Sequence, residues 1–220
     1  MPISIRPATI ADEDAISRIC LLTADAGASA VDMHVFPKLP GQIYAVSYLH
    51  FESGWVFALV DTDESEHDGA QEKVVGYILG AKDAPAYEQE TEEKWWPALR
   101  ELYGRYLQDP TGVKAADLEY IQRIFDPLTA TDATLAFGRA YMHVNILPEY
   151  HGQGYGRKLI DTAVQYLGTL GHKSLWLRMN PKNPKGAAFY RKVGFRPLPE
   201  GTAPQAIIGL KFEDWGKKLE

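Results

Sequence analysis

The amino-acid sequence predicts an α/β (α+β) fold for this chain of 220 residues. Short strand-like runs alternate with amphipathic helical patterns, and two of these runs are spaced as a hairpin. Residues 141–160 have the pattern of a strand, a glycine turn and a helix start. With 45% apolar residues and no Gly/Ser linker, the sequence predicts one enlarged domain over residues 1–220.

The N-terminal part predicts an edge strand followed by a helix. Residues 3–6 alternate apolar and polar side chains, and Pro7 ends that strand. Thr9 and Asp12 are both suitable N-caps for the next segment, whose apolar residues recur at helical spacing. Glycine and proline interrupt residues 27–54, where only residues 42–51 predict a helix.

A hairpin and an uneven distribution of charge follow. Residues 55–60 and 73–80 predict two paired strands, joined by an acidic loop over residues 61–72. Residues 61–101 carry 12 Asp and Glu against 4 Lys and Arg, whereas residues 139–196 carry 10 Lys and Arg against 2 Asp and Glu. A polyanionic ligand on the basic half and a cationic acceptor on the acidic half agree with this distribution, and an ordinary solvated acidic surface is the alternative. The net charge of −6 argues against nucleic-acid binding.

Residues 82–138 predict a helical insertion between the third and fourth strands. The segments 91–107 and 113–125 are amphipathic, which amounts to about two helices. The simpler interpretation is that their aromatic rings seal the insertion onto the body of the protein. The alternative is that one of three large rings lines an acceptor pocket or a homodimer surface. These rings are Trp95, Trp96 and Tyr103.

The centre of the prediction is the glycine turn. The apolar run before it ends at Pro148, which has no N–H for a sheet ladder, and Gly152, Gly154 and Gly156 follow. Glycine at alternate positions lets the backbone approach a ligand closely, and the following helix start adds a partial positive charge. The turn therefore predicts a site for an anion, most often phosphate. Its spacing excludes the G-x-x-x-x-G-K-[ST] loop and the G-x-G-x-x-G dinucleotide fingerprint.

The C-terminal third predicts three further elements and contains a second motif. Residues 158–170 predict a helix that Gly171 terminates, and residues 173–179 predict a strand. The sequence N-P-K-G-A-A-F-Y-R-K-V-G-F then occupies residues 183–195, and residues 206–212 predict the final strand.

Both motifs resemble those of the GNAT acetyltransferases. The turn is similar to the pyrophosphate loop of that family, Q/R-x-x-G-x-G/A, with His151 at the Gln/Arg position. Residues 183–195 are similar to the family's N-x-x-A-x-x-F-Y-x-x-x-G-F, with Gly186 in place of alanine. The opening I-R-P-A-T-x-x-D also resembles the family's first strand and helix. The two motifs cover about a quarter of the chain, and the other elements extend the same topology to most of it.

The resemblance implies a mixed, mostly antiparallel twisted sheet flanked by helices, with a splayed pair of strands at its centre. It also implies acetyl-CoA as the ligand, held by the turn and by free backbone groups of a bulged strand around residues 145–147. The residues that the resemblance assigns to cofactor binding are Asn145, Ile146, Leu147, His151, Gly152, Gln153, Gly154, Tyr155, Gly156, Arg157, Lys158, Asn183, Phe189 and Tyr190.

The resemblance further implies direct transfer of acetyl to a primary amine in a ternary complex. Tyr190 stands at the family's tyrosine position and is the candidate general acid for the departing thiolate. His143, on the strand before the turn, is the candidate base and shares a strand face with Tyr141 and Asn145. A structural, hydrogen-bonded histidine is the alternative. No metal site is predicted, and no cysteine is placed to form an acyl-enzyme.

A second resemblance favours a different function. H-V-N-I-L-P-E-Y-H-G-Q-G, at residues 143–154, is similar to the acetyltransferase-like domain attached to some O-GlcNAc hydrolases. The alternative function is therefore a catalytically degenerate module that binds CoA or a protein. The polar N-terminus predicts neither a signal peptide nor a membrane span, and thus a cytosolic or nucleocytoplasmic location. The acceptor is not determined by the sequence.

Overall fold

A mixed sheet of seven strands organises the part of the chain that the structure, a computed structural model, describes: residues 3–63, 71–199 and 206–217. The strands are β1 (Ile3–Pro7), β2 (Gly54–Asp63), β3 (Gln71–Ala81), β4 (Tyr141–Ile146), β5 (Ser174–Met179), β6 (Arg196–Pro197) and β7 (Ala206–Lys211). The α-helices are α1 (Glu13–Thr23), α2 (Leu39–Tyr44), α3 (Ala84–Lys94), α4 (Trp96–Tyr103), α5 (Arg105–Gln108), α6 (Ala115–Phe125), α7 (Asp132–Phe137), α8 (Tyr155–Thr169) and α9 (Pro184–Lys192).

The sheet has the order β1-β2-β3-β4-β5-β7-β6. All neighbouring strands are antiparallel except β4 and β5, which are parallel. Helix α1 packs against β3 and β4, whereas Tyr166 of α8 packs on Phe57 of β2 from the opposite face. The predicted fold class, a mostly antiparallel α/β sheet with a helical insertion between the third and fourth strands, is confirmed.

The parallel pair β4 and β5 diverges almost from its start. Tyr141 and Trp176 are the one pair in the register between these strands. The Leu147 N–H donates to the Val75 carbonyl oxygen at 2.9 Å, and alternate residues of an antiparallel strand bond to the same neighbour. The intervening residues of β4 therefore direct their N–H and C=O groups into the gap beside β5. These residues are Val144 and Ile146, whereas Met142 adjoins the bridge between Tyr141 and Trp176.

The bulge predicted around residues 145–147 is wrong. The register between β3 and β4 runs without a shift from Gly76–Ile146 to Ala81–Tyr141. The irregularity lies instead between β2 and β3, next to Leu59. The ladder with β3 is complete along β4, so the gap arises because β5 turns away rather than because β4 contains an extra residue.

The insertion contains more helices than the two that its amphipathic pattern predicts. Residues 91–107 span the end of α3, the whole of α4 and most of α5. One long helix cannot pass this point, because Pro97 has no N–H to donate to the carbonyl of Glu93. The second predicted segment agrees with α6. The start of α3 lacks apolar periodicity, and its helical signal is a cap in which Asp83 accepts from the Ala86 N–H at 3.2 Å.

Two other predictions need correction. The helix predicted over residues 42–51 is two short pieces, α2 and a 3₁₀ turn over Val46–Leu49, which meet where Ala45 has φ −139°. Beyond this break the ring of Tyr48 stacks on that of Tyr87, with the ring centres 4.4 Å apart. In the acidic loop, Asp61 to Asp63 and residues 71–72 extend β2 and β3, and residues 64–70 lie outside the described residues.

None of the helices in these three ranges is both long and apolar enough to cross a membrane. Within the same ranges, no three His, Cys, Asp or Glu side chains are grouped as metal ligands.

Strands β3 and β4 approach each other so closely at the start of the gap that any side chain at Gly80 should destabilise the fold. A Cβ at Gly80 would overlap the carbonyl oxygen of Tyr141, a backbone atom that cannot rotate away. We expect Gly80→Ala to lower the free energy of unfolding by about 3 kcal/mol or more. Urea unfolding followed by circular dichroism measures this difference.

Gly168→Ala is the matched control, because a Cβ at this exposed position of α8 meets nothing within 4 Å. It is expected to raise stability by about 0.5–1 kcal/mol through helix propensity. Equal stability of Gly80→Ala and the wild type would contradict the close strand approach.

Candidate active site

A cavity of ≈ 480 Å³ occupies the gap between β4 and β5, on the face that the insertion covers. Strands β4 and β5, helix α9 and the insertion all contribute to its wall. Four residues of the predicted site line it together. They are His143, Asn145, Asn183 and Tyr190. The residues of the glycine turn do not line this cavity; they lie beyond the end of β4.

His143 is half-buried on β4, with its ring 6.3 Å from that of Tyr77. The regular β3–β4 register keeps it on the face of Tyr141 and Asn145, as predicted, and all three line the cavity. Within the described residues its imidazole has no hydrogen-bond or ion-pair partner among the contacts formed. Burial lowers the pKa of His143 to about 4, so the imidazole is neutral at pH 7.

The side chain of Asn145 is fixed by a hydrogen bond to the neighbouring strand. Its Nδ2 donates to the Tyr77 hydroxyl at 2.9 Å, and its backbone lies opposite Tyr77 in the β3–β4 ladder. Beneath this pair Cys20 is buried, and burial raises the pKa of its thiol to about 12. Cys20 is therefore an unreactive core residue.

Tyr190 is half-buried on α9, with its ring 5.3 Å from those of Phe189 and Phe195. Burial raises the pKa of the Tyr190 phenol, so the hydroxyl stays protonated throughout the neutral range. Among the described residues the hydroxyl forms no hydrogen bond with the side chains that share its cavity wall. A protonated hydroxyl without an internal acceptor is available to a ligand.

Asn183 and Phe189 perform structural roles that the motif alone does not specify. The Asn183 Oδ1 caps α9 by accepting from the Gly186 N–H at 2.8 Å. A Cβ at Gly186 would lie 2.8 Å from the Asn183 Nδ2, so Gly186 lies directly against the side chain that caps the helix. The Phe189 ring lies against Gly156, where a Cβ would be 3.1 Å from its Cζ. Thus the second motif packs directly on the glycine turn.

The glycine turn presents unpaired backbone donors. Gly152 and Gly154 have φ of +75° and +84°, and a Cβ on either would point into open space. The Lys158 N–H is the first in α8 with a backbone partner, the Gly154 carbonyl at 3.2 Å. Within the described residues no backbone hydrogen bond is formed by the N–H groups of residues 152–157, so they remain open to an anion.

Several side chains near the turn fold back onto the protein. The His151 Nε2 lies 2.7 Å from the Ile146 carbonyl oxygen, to which it donates, and Gln153 donates to the Glu149 carbonyl at 3.0 Å. Neither side chain therefore extends as the long donor of the family loop does. The Leu147 N–H is also used, in the ladder with β3. The backbone donors, rather than these side chains, are the strongest ligand groups of the turn.

The basic residues after the turn contact aromatic rings. Arg157 lies 5.2 Å from the ring centre of Trp215, and Lys158 lies 5.2 Å from that of Tyr155. Both cations are exposed and lie in the first turn of α8. They add positive charge beside the open backbone donors.

A cluster of tyrosines on the cavity wall has no signal in the sequence. Tyr48, Tyr87 and Tyr141 come from three distant segments; the hydroxyls of Tyr48 and Tyr141 are 2.9 Å apart, and the ring of Tyr48 stacks on Tyr87. Of the three insertion rings considered above, Trp96 alone lines the cavity. Both of the others pack against one residue of α2 and seal the insertion. Trp95 donates to the Gln42 carbonyl at 2.9 Å and Tyr103 to the Gln42 Oε1 at 2.8 Å.

Five charged residues of the wall are likewise unpredicted: Glu88, Glu92, Glu119, Arg123 and Arg178. Glu88 accepts from the Ala130 N–H at 2.6 Å, and burial raises the pKa of its carboxyl group. No periodicity or motif distinguishes these residues from ordinary surface charges, since only the fold brings them to one cavity.

Comparison with known proteins agrees with this geometry. The model of the acetyltransferase (GNAT) family matches residues 42–195. The chain is 26% identical over 111 residues to the [ribosomal protein bS18]-alanine N-acetyltransferase of Haemophilus ducreyi, covering 46% of this chain and 77% of that protein. It is 25% identical over 118 residues to the spermidine N(1)-acetyltransferase of Vibrio cholerae, covering 53% of this chain and 67% of that protein.

Solved structures extend the similarity to nearly the whole chain. The crystal structure of SsHAT superposes with a TM-score of 0.78 at 27% identity, covering 96% of this chain and 99% of that one. The PaiA N-acetyltransferase of Thermoplasma acidophilum, in complex with coenzyme A, shares the fold with a TM-score of 0.53 at 15% identity, covering 96% and 99% of the two chains. Since the family model spans more than half of the sequence, the chain belongs to the acetyltransferase (GNAT) family and is an N-acetyltransferase by that membership.

Proposed function

We propose that this protein transfers acetyl from acetyl-CoA to a primary amine, carried by a small molecule, a lysine or an N-terminus, by direct attack in a ternary complex. The observation that carries the proposal is one cavity, opened by the divergence of β4 and β5, that brings together a neutral His143 and a protonated Tyr190. The relatives named for acetylation of an alanine and of spermidine support an amine acceptor. The cytosolic or nucleocytoplasmic location, the single domain and the homodimer remain predictions from the sequence.

The chain has groups that fit acetyl-CoA, which supplies an activated acetyl thioester when bound. The open N–H groups of residues 152–157 and the N-terminus of α8 suit a pyrophosphate. The backbone groups of Val144 that face the gap suit the amides of a pantetheine arm. The His151 imidazole already donates to the Ile146 carbonyl oxygen. This oxygen becomes fully available to a ligand when the imidazole moves away.

The pKa of His143 limits what it can do as a base. An alkyl ammonium has a pKa near 10.4, so about one in a thousand is neutral at pH 7, a cost of about 5 kcal/mol. Direct transfer of its proton to a base of pKa about 4 costs roughly 9 kcal/mol. The cheaper route is that the amine loses one proton to water first, and that His143 accepts the second proton as the N–C bond forms.

Tyr190 is suited to the complementary role. Its hydroxyl holds a proton at neutral pH and has no internal acceptor among the described residues of the cavity wall. In this proposal it donates that proton to the sulfur that leaves the acetyl group.

A catalytically degenerate module that binds CoA or a protein is the second candidate. The observation that favours it is the low pKa of His143, which no carboxylate of the described residues counteracts. Calorimetric titration with acetyl-CoA and release of thiol with a panel of amines separate the two. Binding without thiol release favours the module, and binding with thiol release favours the transferase.

The glycine turn can be tested without changing a charge. Gly154→Ala places a methyl group on the open side of the turn, where the anion is expected to lie. We expect the Kd for acetyl-CoA to rise at least about 10-fold, because the methyl group separates the ligand from the backbone donors. Calorimetric titration gives the Kd directly.

Gly112→Ala is the matched control, because Gly112 has φ +77°, also has open space at its Cβ and lies in the insertion. Both variants carry similar backbone strain of about 1 kcal/mol. An equal effect of the two on the Kd would show that strain, and not contact with the ligand, is responsible.

Replacement of the Tyr190 hydroxyl tests proton donation. Tyr190→Phe is expected to lower kcat about 100-fold or more, because general acid catalysis typically contributes that much, with little change in the Kd for acetyl-CoA. Thiol release under saturating acetyl-CoA measures kcat. Tyr166→Phe, on the opposite sheet face, is the control. Unchanged kcat in Tyr190→Phe would remove this hydroxyl from the mechanism.

The pKa of His143 also predicts how stability depends on pH. Its folded-state pKa of about 4 lies below the unfolded value near 6.5, so the unfolded chain binds more protons between these values. The wild type should therefore lose stability through this residue as pH falls from 6.5 to 4, and His143→Gln should not.

We expect the stability of His143→Gln relative to the wild type to increase by about 1–3 kcal/mol between pH 7 and pH 4.5. Urea unfolding at both pH values measures it, and pH 7, where both side chains are neutral, is the internal control. If the stability difference between His143→Gln and the wild type does not change with pH, the pKa of His143 is not lowered and its imidazole is in contact with water.

A further inference from the structure

Two arginines line the cavity without a carboxylate partner. Arg178 lies on β5 and Arg123 on α6. Arg178 donates to the Thr129 carbonyl and Arg123 to the Asp126 carbonyl at 2.9 Å. The Arg123 Nε is buried without any hydrogen-bond partner, and neither guanidinium is in an ion pair within residues 3–63, 71–199 and 206–217. A guanidinium has five N–H donors, so most donors of both groups are left for a ligand.

The arginines lie on the acceptor side of the sheet. Arg178 follows Trp176 by two residues and so shares its face, and its guanidinium lies 5.0 Å over the Trp176 ring. The Trp176 ring in turn lies 5.0 Å from Tyr141, on the face of His143. Helix α8 and the glycine turn that precedes it pack from the other face. The two cations are therefore separate from the donors that suit the phosphates of acetyl-CoA.

No acidic residue of the same wall forms an ion pair with these cations within the described residues, although Glu88 lies near enough to Arg178 to act on it electrostatically. Glu92 forms a two-point ion pair with Arg100, at 2.5 and 2.9 Å. Glu119 is exposed at the surface. Glu88 accepts from the Ala130 N–H, and its carboxylate lies beyond ion-pair distance of either arginine. Burial lowers the pKa of Arg178, the nearby Glu88 carboxylate opposes this lowering, and the arginine stays charged at neutral pH. Two cations that face one cavity are stabilised when an anion lies between them.

We propose that the acceptor amine of this enzyme also carries a carboxylate, which Arg178 and Arg123 bind while the amine group faces His143. The inference rests on the proposed acetyl transfer and names its substrate class: an amino acid or a similar small aminocarboxylate. The planar guanidinium fork matches a carboxylate in two-point contact, which a lysine does not. A cavity of ≈ 480 Å³ is in the range of pockets that enclose small molecules.

Matched pairs of acceptors test the carboxylate directly. Thiol release from acetyl-CoA is measured with β-alanine and β-alaninamide, γ-aminobutyrate and its amide, and lysine and lysinamide. For at least one pair, kcat/KM of the wild type should favour the acid about 10- to 100-fold, mainly through KM, because charge-assisted contacts to arginine are worth that much. Equal or better use of the amide in every pair that reacts overturns the proposal.

Variants assign the preference to the two arginines. Arg178→Met and Arg123→Gln should each reduce the preference for the acid about 10-fold or more, and Arg178→Lys should retain part of it. Arg105→Gln, at an exposed insertion arginine that does not line the cavity, should retain both the activity and the preference. Far-UV circular dichroism verifies folding. Full preference in both Arg178→Met and Arg123→Gln overturns the assignment.

A binding measurement separates this inference from the transferase activity. Each acid and its amide, at roughly 10 mM, is compared for its effect on the thermal unfolding midpoint in the presence of acetyl-CoA. If no amine reacts but an acid stabilises the wild type more than Arg178→Met, the carboxylate site stands and the transfer fails. Equal effects of acid and amide on both proteins overturn the carboxylate site.

Discussion

The separation of β4 from β5 is the constraint on which the rest of the structure depends. After the single pair of Tyr141 and Trp176, the backbone groups of β4 that face β5 have no partner strand. Unpaired backbone groups are costly unless water or a ligand reaches them, so the gap must stay open at one end. The open end lies beside the glycine turn, whose own N–H groups are unpaired. A ligand rich in amides and phosphates satisfies both sets.

Burial in the same gap determines the charge of the titratable side chains that line it. Within the wall, desolvation favours the neutral forms, so the His143 imidazole is uncharged and the Tyr190 phenol keeps its proton. Burial also lowers the pKa of Arg178, but the intrinsic pKa of arginine is so high that Arg178 stays a cation. One cavity wall thus combines two neutral polar groups with a positive charge.

The insertion completes this environment and is fixed to the body by polar contacts. His34 and Asp117 form a buried pair at 2.8 Å, and the Val35 N–H donates to the same carboxylate at 2.7 Å. At its other end Asp83 pairs with Arg139, which precedes β4. Glu88 and Glu90 of α3 also accept part-buried hydrogen bonds, from the Ala130 N–H at 2.6 Å and the Ser53 N–H at 3.3 Å. Part of the acidic excess in this region therefore has a structural use as well as the electrostatic one that composition suggests.

The sequence by itself determined the elements whose signals are local. The strand, turn and helix of residues 141–160, the hairpin and the second motif were predictable, because strand alternation, proline and glycine act within a few residues. The same holds for His143 and Tyr190, which were found by their positions in family motifs. Gly186 is a local departure from the second motif, and it lies against the Asn183 side chain that caps α9.

Only the tertiary structure decided which residues share the cavity. Glu88, Arg123 and Arg178 are separated by many residues, as are Tyr48, Tyr87 and Tyr141, and no periodicity connects them. The bulge was misplaced for a related reason: the gap depends on the path of β5 and not on a residue of β4. Side-chain pairing and burial are properties of packing between distant segments. For this protein they determine which charged and neutral side chains meet in the cavity, whereas local sequence determines the fold and the family.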